Sequence, residues 1–308
     1  MIDYRYHLVS LVAVFLALGV GVLIGNSFVG TASAEWQKQA MLRLDHTFKR
    51  EIMSLRQRID QVSQRNRELE KRLETRDRAE RALMPTVLDS LLAGRRVALV
   101  TCGDLRNEAL VGSVSSAIKT AGGVVQSVTA VRDDWLPEVG RRRSQILERL
   151  QVPTDSPAAT VEATRALAAA IVSGEWSQAI HDIARVSAGL SVDGDYSRPA
   201  EMVLLMSSAA KQARLALAEA KTLPEQILLD AWNARKMRVV AAEPEVTPVS
   251  MIPVFQRKGV PTVDNVDSAV GQISAVLALA GGEANYGVKP TAQKPIPEIT
   301  PQSNNRGG

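Results

Sequence analysis

The N-terminal part of the chain contains an uncharged apolar stretch that is long enough to cross a membrane as a helix. It covers residues 8–29 and reads LVSLVAVFLALGVGVLIGNSFV. A helix rises about 1.5 Å per residue, so about 20 such residues cross a hydrocarbon core of about 30 Å. We therefore predict a transmembrane helix over residues 8–29, preceded by a short cytoplasmic leader of residues 1–7.

A cleaved secretory signal is the competing interpretation of this stretch. Ala32-Ser33-Ala34 is an A-x-A site, and Arg5 precedes the apolar run. However, the run exceeds the core of about 7–15 residues that is usual in signal peptides, and Asp3 offsets the charge of Arg5. We favour a retained signal anchor. It predicts a single-pass protein of the cell membrane, with its N-terminus inside and its globular part outside the cytoplasm.

Two glycines within the span have the spacing of a helix-dimer motif. Gly21 and Gly25 form a G-x-x-x-G pair, which lets two helix backbones approach closely. Small residues are common in membrane helices, so the pair predicts a dimer face only if the next segment also dimerises.

Residues 34–84 predict a coiled-coil stalk. From Met41 to Arg76 the core positions alternate at spacings of three and four over about five heptads. The predicted core residues are Phe48, Ile52, Leu55, Ile59, Val62, Asn66, Leu69 and Leu73.

The composition of the heptads favours a parallel homodimer. Ile at a positions with Leu at d positions is typical of two strands, and a buried Asn66 pairs with its own copy and sets the register. The flanking residues agree, since Arg65 of one helix would face Glu70 of its partner. A single amphipathic helix lying on the globular domain is the alternative.

Residues 85–282 read as one α/β domain, and Pro85 is predicted to end the stalk helix because proline disfavours helix continuation. Helical stretches, including residues 209–220, alternate with short apolar runs. Such alternation predicts an open, mostly parallel sheet with helices on both faces, that is, an α/β sandwich. The predicted strands are residues 96–101, 124–130, 202–206, 237–242 and 261–263. Residues 283–308 are rich in proline and polar residues and are predicted to be disordered.

In folds of this kind, ligands bind beyond the carboxyl ends of the strands. This rule places Ser207, Ser208 and residues 243–245 along one edge of the sheet. The candidate residues of this strand-end rim are Thr101, Asp104, Asp133, Asp134 and Trp135.

The rim carries no catalytic signature. The turn TCGDLRN after the first strand lacks the phosphate-binding glycine motifs, and no His lies near Cys102 in the sequence to activate its thiol. We therefore predict that the chain is not an enzyme and binds no cofactor. The net charge of +4 is concentrated in the heptad region, where solvated flanks explain it better than nucleic-acid binding.

Several segments together resemble a known family of the actinobacterial cell envelope. They are the leader MIDYRYHLVSLVAVFLALGVGVLIG, the heptads, V-R-D-D-W at residues 131–135, and the closing VDSAVGQISAVLALAGGEANYG. In this combination the chain resembles the copper transport protein B (MctB) family up to about Tyr286. The resemblance implies an outer-membrane role in copper homeostasis, as described in mycobacteria. Related corynebacterial proteins look like anchored coiled-coil partners that control peptidoglycan cleavage.

Three functions follow from these observations. The first is a membrane-anchored scaffold or regulator that presents its α/β domain to a protein partner. The second is a component of copper transport, although Cu(I) prefers thiolates and thioethers and no Cys-x-x-Cys, Met-x-x-Met or His-rich run is present. The expectation that copper is bound therefore rests on the family resemblance alone, and the metal ligands are unknown. The third is an extracytoplasmic enzyme or small-ligand binding domain that uses the rim.

Overall fold

The protein is described by a computed structural model that covers residues 4–103, 105, 107–208 and 223–298. For residues 4, 26–40 and 42–47 it describes the backbone alone. Asp104 of the predicted rim and the predicted helix at 209–220 lie outside the described residues. The chain divides into two compact units, Met1–Glu74 and Thr75–Gly308, and each is described by itself.

The described helices and strands alternate through most of the second unit. The helices are α1 (Tyr4–Leu88), α2 (Glu108–Thr120), α3 (Arg141–Arg149), α4 (Ala159–Ser173), α5 (Ser177–Val186), α6 (Pro224–Ala234), α7 (Ile252–Gln256) and α8 (Ala269–Ala280). The strands are β1 (Arg96–Gly103), β2 (Val124–Val131), β3 (Leu190–Gly194), β4 (Met202–Ser208), β5 (Arg238–Ala242), β6 (Thr262–Val263) and β7 (Asn285–Tyr286).

The strands form one sheet in the order β3-β2-β1-β4-β5-β6-β7. All neighbouring pairs are parallel except β2 and β3, which are antiparallel. From β1 the chain moves to β2 on one side, whereas from β4 it moves to β5 on the other. The direction of winding therefore reverses between β1 and β4, and the mostly parallel α/β architecture predicted from the sequence is confirmed.

Helices cover both faces of this sheet, and the two faces bury separate cores. On β1, Ala98, Val100 and Cys102 belong to one core, and Val97 and Leu99 belong to the other. The first core takes apolar side chains from α3 to α7, and the second takes them from the last turns of α1, from α2 and from α8. Strands that are buried on both faces explain why the sequence shows continuous apolar runs instead of alternation.

Helix α1 continues past Pro85 and ends at Leu88, so the prediction that Pro85 ends it is wrong. Proline removes one backbone donor and disfavours the helix around it. Here the last turn is held by packing, because Met84 and Leu88 are buried in the second core. Tertiary contacts thus outweigh the local preference of the proline.

The predicted disordered tail also differs from the structure. Residues 285 and 286 form strand β7, which pairs with β6, and Tyr286 is buried. The tail prediction is therefore wrong for residues 283–298, and residues 299–308 lie outside the described residues. Strand β3 was likewise not predicted, because only Leu190 of its five residues is buried and its pattern resembles a polar loop.

Candidate functional site

The first unit carries an apolar helical segment with no cover from its own chain. Arg5–Gly25 of α1 is long and apolar enough to cross a membrane, and its side chains are exposed within the single chain. Among the described residues it is the one helix that meets this criterion. A Cβ atom added to Gly21 or to Gly25 would have no other heavy atom within 4 Å. The face that bears the G-x-x-x-G pair is therefore open for a second helix.

The predicted core of the coiled coil forms a second uncovered surface on α1. Phe48, Ile59 and Leu73 are each more than 60% exposed in the single chain. Charged flanks pair locally, since Arg72 lies 2.6 Å from Glu68. The other predicted core residues are exposed as well: Ile52, Leu55, Val62, Asn66 and Leu69.

In the second unit, the rim at the ends of β1 and β2 contains fewer accessible side chains than the sequence predicts. Thr101 is buried, and it is in register with Ala130 of β2 and Met206 of β4. Asp133 and Asp134 are exposed in the turn that follows β2. These residues share one edge of the sheet, as predicted.

Trp135 does not belong to this rim. Its side chain is only 1% exposed and lies in the first core. The Trp135 backbone carbonyl accepts a hydrogen bond from the Ser187 hydroxyl. Gly189 packs closely against the Trp135 backbone, and a Cβ atom on Gly189 would lie 2.6 Å from the Trp135 backbone nitrogen. The turn after β2 is therefore folded back onto the sheet, and the Trp135 indole packs in the first core.

The end of β4 bears a buried polar pair at the point where the winding direction reverses. The Ser207 hydroxyl donates a hydrogen bond of 3.0 Å to Oε1 of Glu225 in the first turn of α6, and both residues are fully buried. Cys102 of β1 is in register with Ser207. Ligands in α/β folds bind near such a reversal. Ser208, the last residue of β4, lies beside them, and its hydroxyl forms a hydrogen bond of 3.2 Å with the Thr247 hydroxyl.

The end of β5 bears a second buried carboxylate, which has a complete set of hydrogen-bond donors. Glu243 is 0% exposed. Its Oε1 atom accepts hydrogen bonds from the Ser250 hydroxyl at 2.6 Å and from Lys289 Nζ at 2.5 Å, and its Oε2 atom accepts one from the Met251 backbone N–H at 2.7 Å. Lys289 Nζ also donates to the Pro244 carbonyl at 3.0 Å. We call the Glu243 carboxylate and the Pro244 carbonyl, together, the ammonium seat.

Lys289 reaches the seat from a segment that closes over the edge of the sheet, residues 284–296, which we call the strap. Asp264, at the end of β6, holds the strap by accepting hydrogen bonds from the backbone N–H groups of Val288 at 2.8 Å and Lys289 at 3.0 Å. Gly287 adopts a φ of +141°, and a Cβ atom there would lie 1.9 Å from Asp264 Oδ1. The glycine thus permits the close approach that aims Lys289 at Glu243.

The strap turns back on itself and ends in a surface ion pair. Gly287 N–H donates to the Lys294 carbonyl at 3.1 Å, and the Gln256 side chain of α7 donates to the Thr291 carbonyl at 3.0 Å. Beyond the turn, Lys294 lies 2.6 Å from Glu298. Their hydrogen bond raises the pKa of the Lys294 ammonium group and lowers the pKa of the Glu298 carboxyl group.

The strand-end rule places Glu243 on this edge but does not find Lys289, because the composition of residues 283–308 predicts disorder. The usable signal was Tyr286 followed by Gly287. A large aromatic side chain gains much from burial, and a glycine often marks a turn.

Some of the soft ligands that Cu(I) prefers are placed in the cores, whereas Met41 and Met53 are exposed on α1. Cys102 is 1% exposed, and Met206 and the partly buried Met202 pack in the second core. Among the described residues, no group of three or more His, Cys, Asp or Glu side chains is arranged to hold a metal ion.

These features define a protein with an N-terminal apolar helix of membrane-spanning length, a heptad-patterned helical segment and a three-layer α/β unit. The profile of the family described as "Copper transport outer membrane protein, MctB" matches residues 1–297, and the chain belongs to this family. Proteins named "Copper transporter MctB" from Mycobacterium tuberculosis and Mycobacterium bovis are 26% identical to it over 136 residues. That match covers 44% of this chain and 40% of those relatives, so it spans less than half of their length.

Proposed function

We propose that this MctB-family chain is a non-enzymatic, membrane-anchored protein of the cell envelope. In this proposal it is a parallel homodimer, joined through its span and stalk, that presents its α/β unit to a protein partner. The observation that carries the proposal is the exposed row of heptad residues on α1, which includes Phe48, Ile59 and Leu73. The row lies on the same helix as a segment of membrane-spanning length, Arg5–Gly25, and is C-terminal to it.

The energetic argument for a dimer starts from the cost of leaving this row in water. Burying a large apolar side chain contributes about 1.5–3 kcal/mol. Several layers from each of two chains therefore supply more than the association cost of about 4–15 kcal/mol. Asn66 within the row would favour two strands in one register. The open Gly21 and Gly25 face would extend the contact into the membrane.

The orientation in this proposal follows from the short leader. The leader has one arginine, Arg5, and the span begins almost immediately after it. A signal anchor of this kind keeps its N-terminus inside and exports the segment that follows. The α/β unit would then act outside the cytoplasm, where it can meet wall-remodelling enzymes, their regulators or a transport assembly.

The experiment that tests this function is in-cell crosslinking of the full chain. A tagged copy and a second copy with a different tag are expressed in the native cells, crosslinked and purified, and the recovered proteins are identified by mass spectrometry. We expect both tags together with an envelope protein in stoichiometric amount. Cells that express untagged protein serve as the control. Recovery of single chains, without a second copy or another protein, would contradict the proposal.

A role in copper transport is the second candidate, and the family description and the names of the mycobacterial relatives favour it. Copper would then be cargo. Because Cys102, Met202 and Met206 are packed in the cores, a chain that carries copper directly would have to use other groups or a partner.

Direct copper carriage is tested by competition on the purified full chain. The protein is loaded with Cu(I) under reducing conditions and then exposed to a Cu(I) chelator. Retained copper in stoichiometric amount, equal in wild type and Cys102→Ser, would support a site that does not use the buried thiol. Complete loss of copper to the chelator from both proteins would remove direct carriage and leave the scaffold function.

A further inference from the structure

The buried Glu243 carboxylate is stabilised by a cation. Two of its donors, the Ser250 hydroxyl and the Met251 backbone N–H, are neutral and lie between β5 and α7, close to Glu243 in the sequence. Its charged donor, Lys289, comes from the strap. Neutral donors alone would leave a net negative charge in a fully buried position, and such a charge is costly.

The two acceptors of the seat favour a primary ammonium group over other organic cations. Lys289 Nζ donates to Glu243 Oε1 and to the Pro244 carbonyl, so two acceptors converge on one nitrogen. A primary ammonium group has three N–H donors on a compact centre and matches this arrangement. A quaternary ammonium group has no donors, and a guanidinium group is a wider planar fork.

The strap that supplies Lys289 is attached mainly by polar contacts. Its ladder with β6 has two residue pairs, and Tyr286 is its main buried apolar side chain. Val288 is 60% exposed. Segments with few buried apolar contacts open at a lower free energy than the core around them. The strap can therefore leave the seat while the rest of the α/β unit stays folded.

One exposed apolar side chain lies on the loop that follows the seat, and another lies on the strap. Val246, in the loop that follows Pro244, is 88% exposed, and Val288 is the neighbour of Lys289. A protein that docks at the opened seat would bury Val246.

We infer that the ammonium seat is a recognition site for a primary ammonium group, which Lys289 fills in cis and which a lysine side chain of the protein partner fills when the strap opens. The strap is then an internal competitor of the partner. This inference rests on the proposed function for the role of the ligand. The seat itself is tested without any partner, so the two can fail separately.

The test is chemical rescue of Lys289→Ala in the full chain, purified in detergent. Removing one partner of a buried ion pair is expected to lower the Tm of the α/β unit by about 10 °C. Ethylammonium should restore part of this loss, whereas tetramethylammonium at the same ionic strength should not. Lys258→Ala is the matched control. Its ammonium group lies 2.7 Å from Asp230 and is similarly covered, but the Asp230 side chain is 50% exposed and stays hydrated without it.

Rescue that depends on the N–H donors in Lys289→Ala, and its absence in Lys258→Ala, would support the inference. Equal responses to the two ammonium ions, or no response, would overturn it. If Lys289→Ala does not fold, Lys289→Gln is measured in the same way. If neither variant folds, chymotryptic cleavage after Tyr286 in the strap of the wild-type protein decides, because Tyr286 is buried until the strap opens. Faster cleavage in ethylammonium than in tetramethylammonium would support competition between Lys289 and a free ammonium ion for the seat. Identical cleavage rates in the two ions would overturn the inference.

Discussion

Replacing Gly271 by alanine is expected to lower the free energy of unfolding of the α/β unit by about 3 kcal/mol or more. A Cβ atom on Gly271 would lie 1.8 Å from the Asn265 carbonyl oxygen and 2.4 Å from its carbon. These are backbone atoms of a residue that is 2% exposed, so no side-chain rotation relieves the overlap. Helix α8 would have to move away from the end of β6, and the second core would loosen with it.

The measurement is urea unfolding of the full chain in detergent, followed by the fluorescence of the buried Trp135 and Trp232. Gly112→Ala is the matched control. Gly112 lies in α2, and a Cβ atom there would have no other heavy atom within 4 Å. This change should raise stability by about 0.5–1 kcal/mol through helix propensity. Equal effects of the two substitutions would show that the contact between Gly271 and Asn265 is not as close as described.

Loss of the dimer is expected when two layers of the heptad row are made acidic. In the double variant Ile52→Asp and Ile59→Asp, each chain loses the burial of two isoleucine side chains, about 1.5–3 kcal/mol each, and places carboxylates in the proposed seam. We expect dimer affinity to fall by at least about 100-fold.

The dimer is measured by the disulfide yield of a Leu69→Cys reporter in the full chain. Leu69 occupies a proposed core position, and the native Cys102 is buried. The matched control is Gln57→Asp with Gln64→Asp, which adds the same charge at positions away from the proposed seam and should leave the yield unchanged. An equal loss in both double variants would point to net charge, and unchanged yields in both would contradict the heptad assignment.

Much of the α/β architecture could be predicted from the sequence because its central strands are buried on both faces. The runs in β1, β4 and β5 are mainly apolar, and in the structure these strands and β2 each lie within a residue or two of the predicted bounds. The edge strands β3 and β7 were missed. They are short, they bury few side chains, and their pairing depends on neighbours that are distant in the sequence.

The candidate site was predictable only in part. The rule for carboxyl ends placed Thr101, Ser207 and Glu243 on one edge, and the structure agrees. The rule could not show that Trp135 turns into the core, because the sequence around a tryptophan after a strand does not distinguish a core side chain from a ligand-binding one. It also could not supply Lys289, since the partner of a buried charge is chosen by the path of the chain in space.

By itself, the sequence determined the features that depend on neighbouring residues. These are an apolar stretch of membrane-spanning length, the heptad row that contains Ile52 and Ile59, and the alternation of strands and helices. The tertiary structure alone decided that α1 continues through Pro85, because Met84 and Leu88 are held in the core. It also decided that a proline-rich tail becomes a strap. Lys289 neutralises the buried Glu243 carboxylate, and only the folded chain brings the two groups within 2.5 Å of each other.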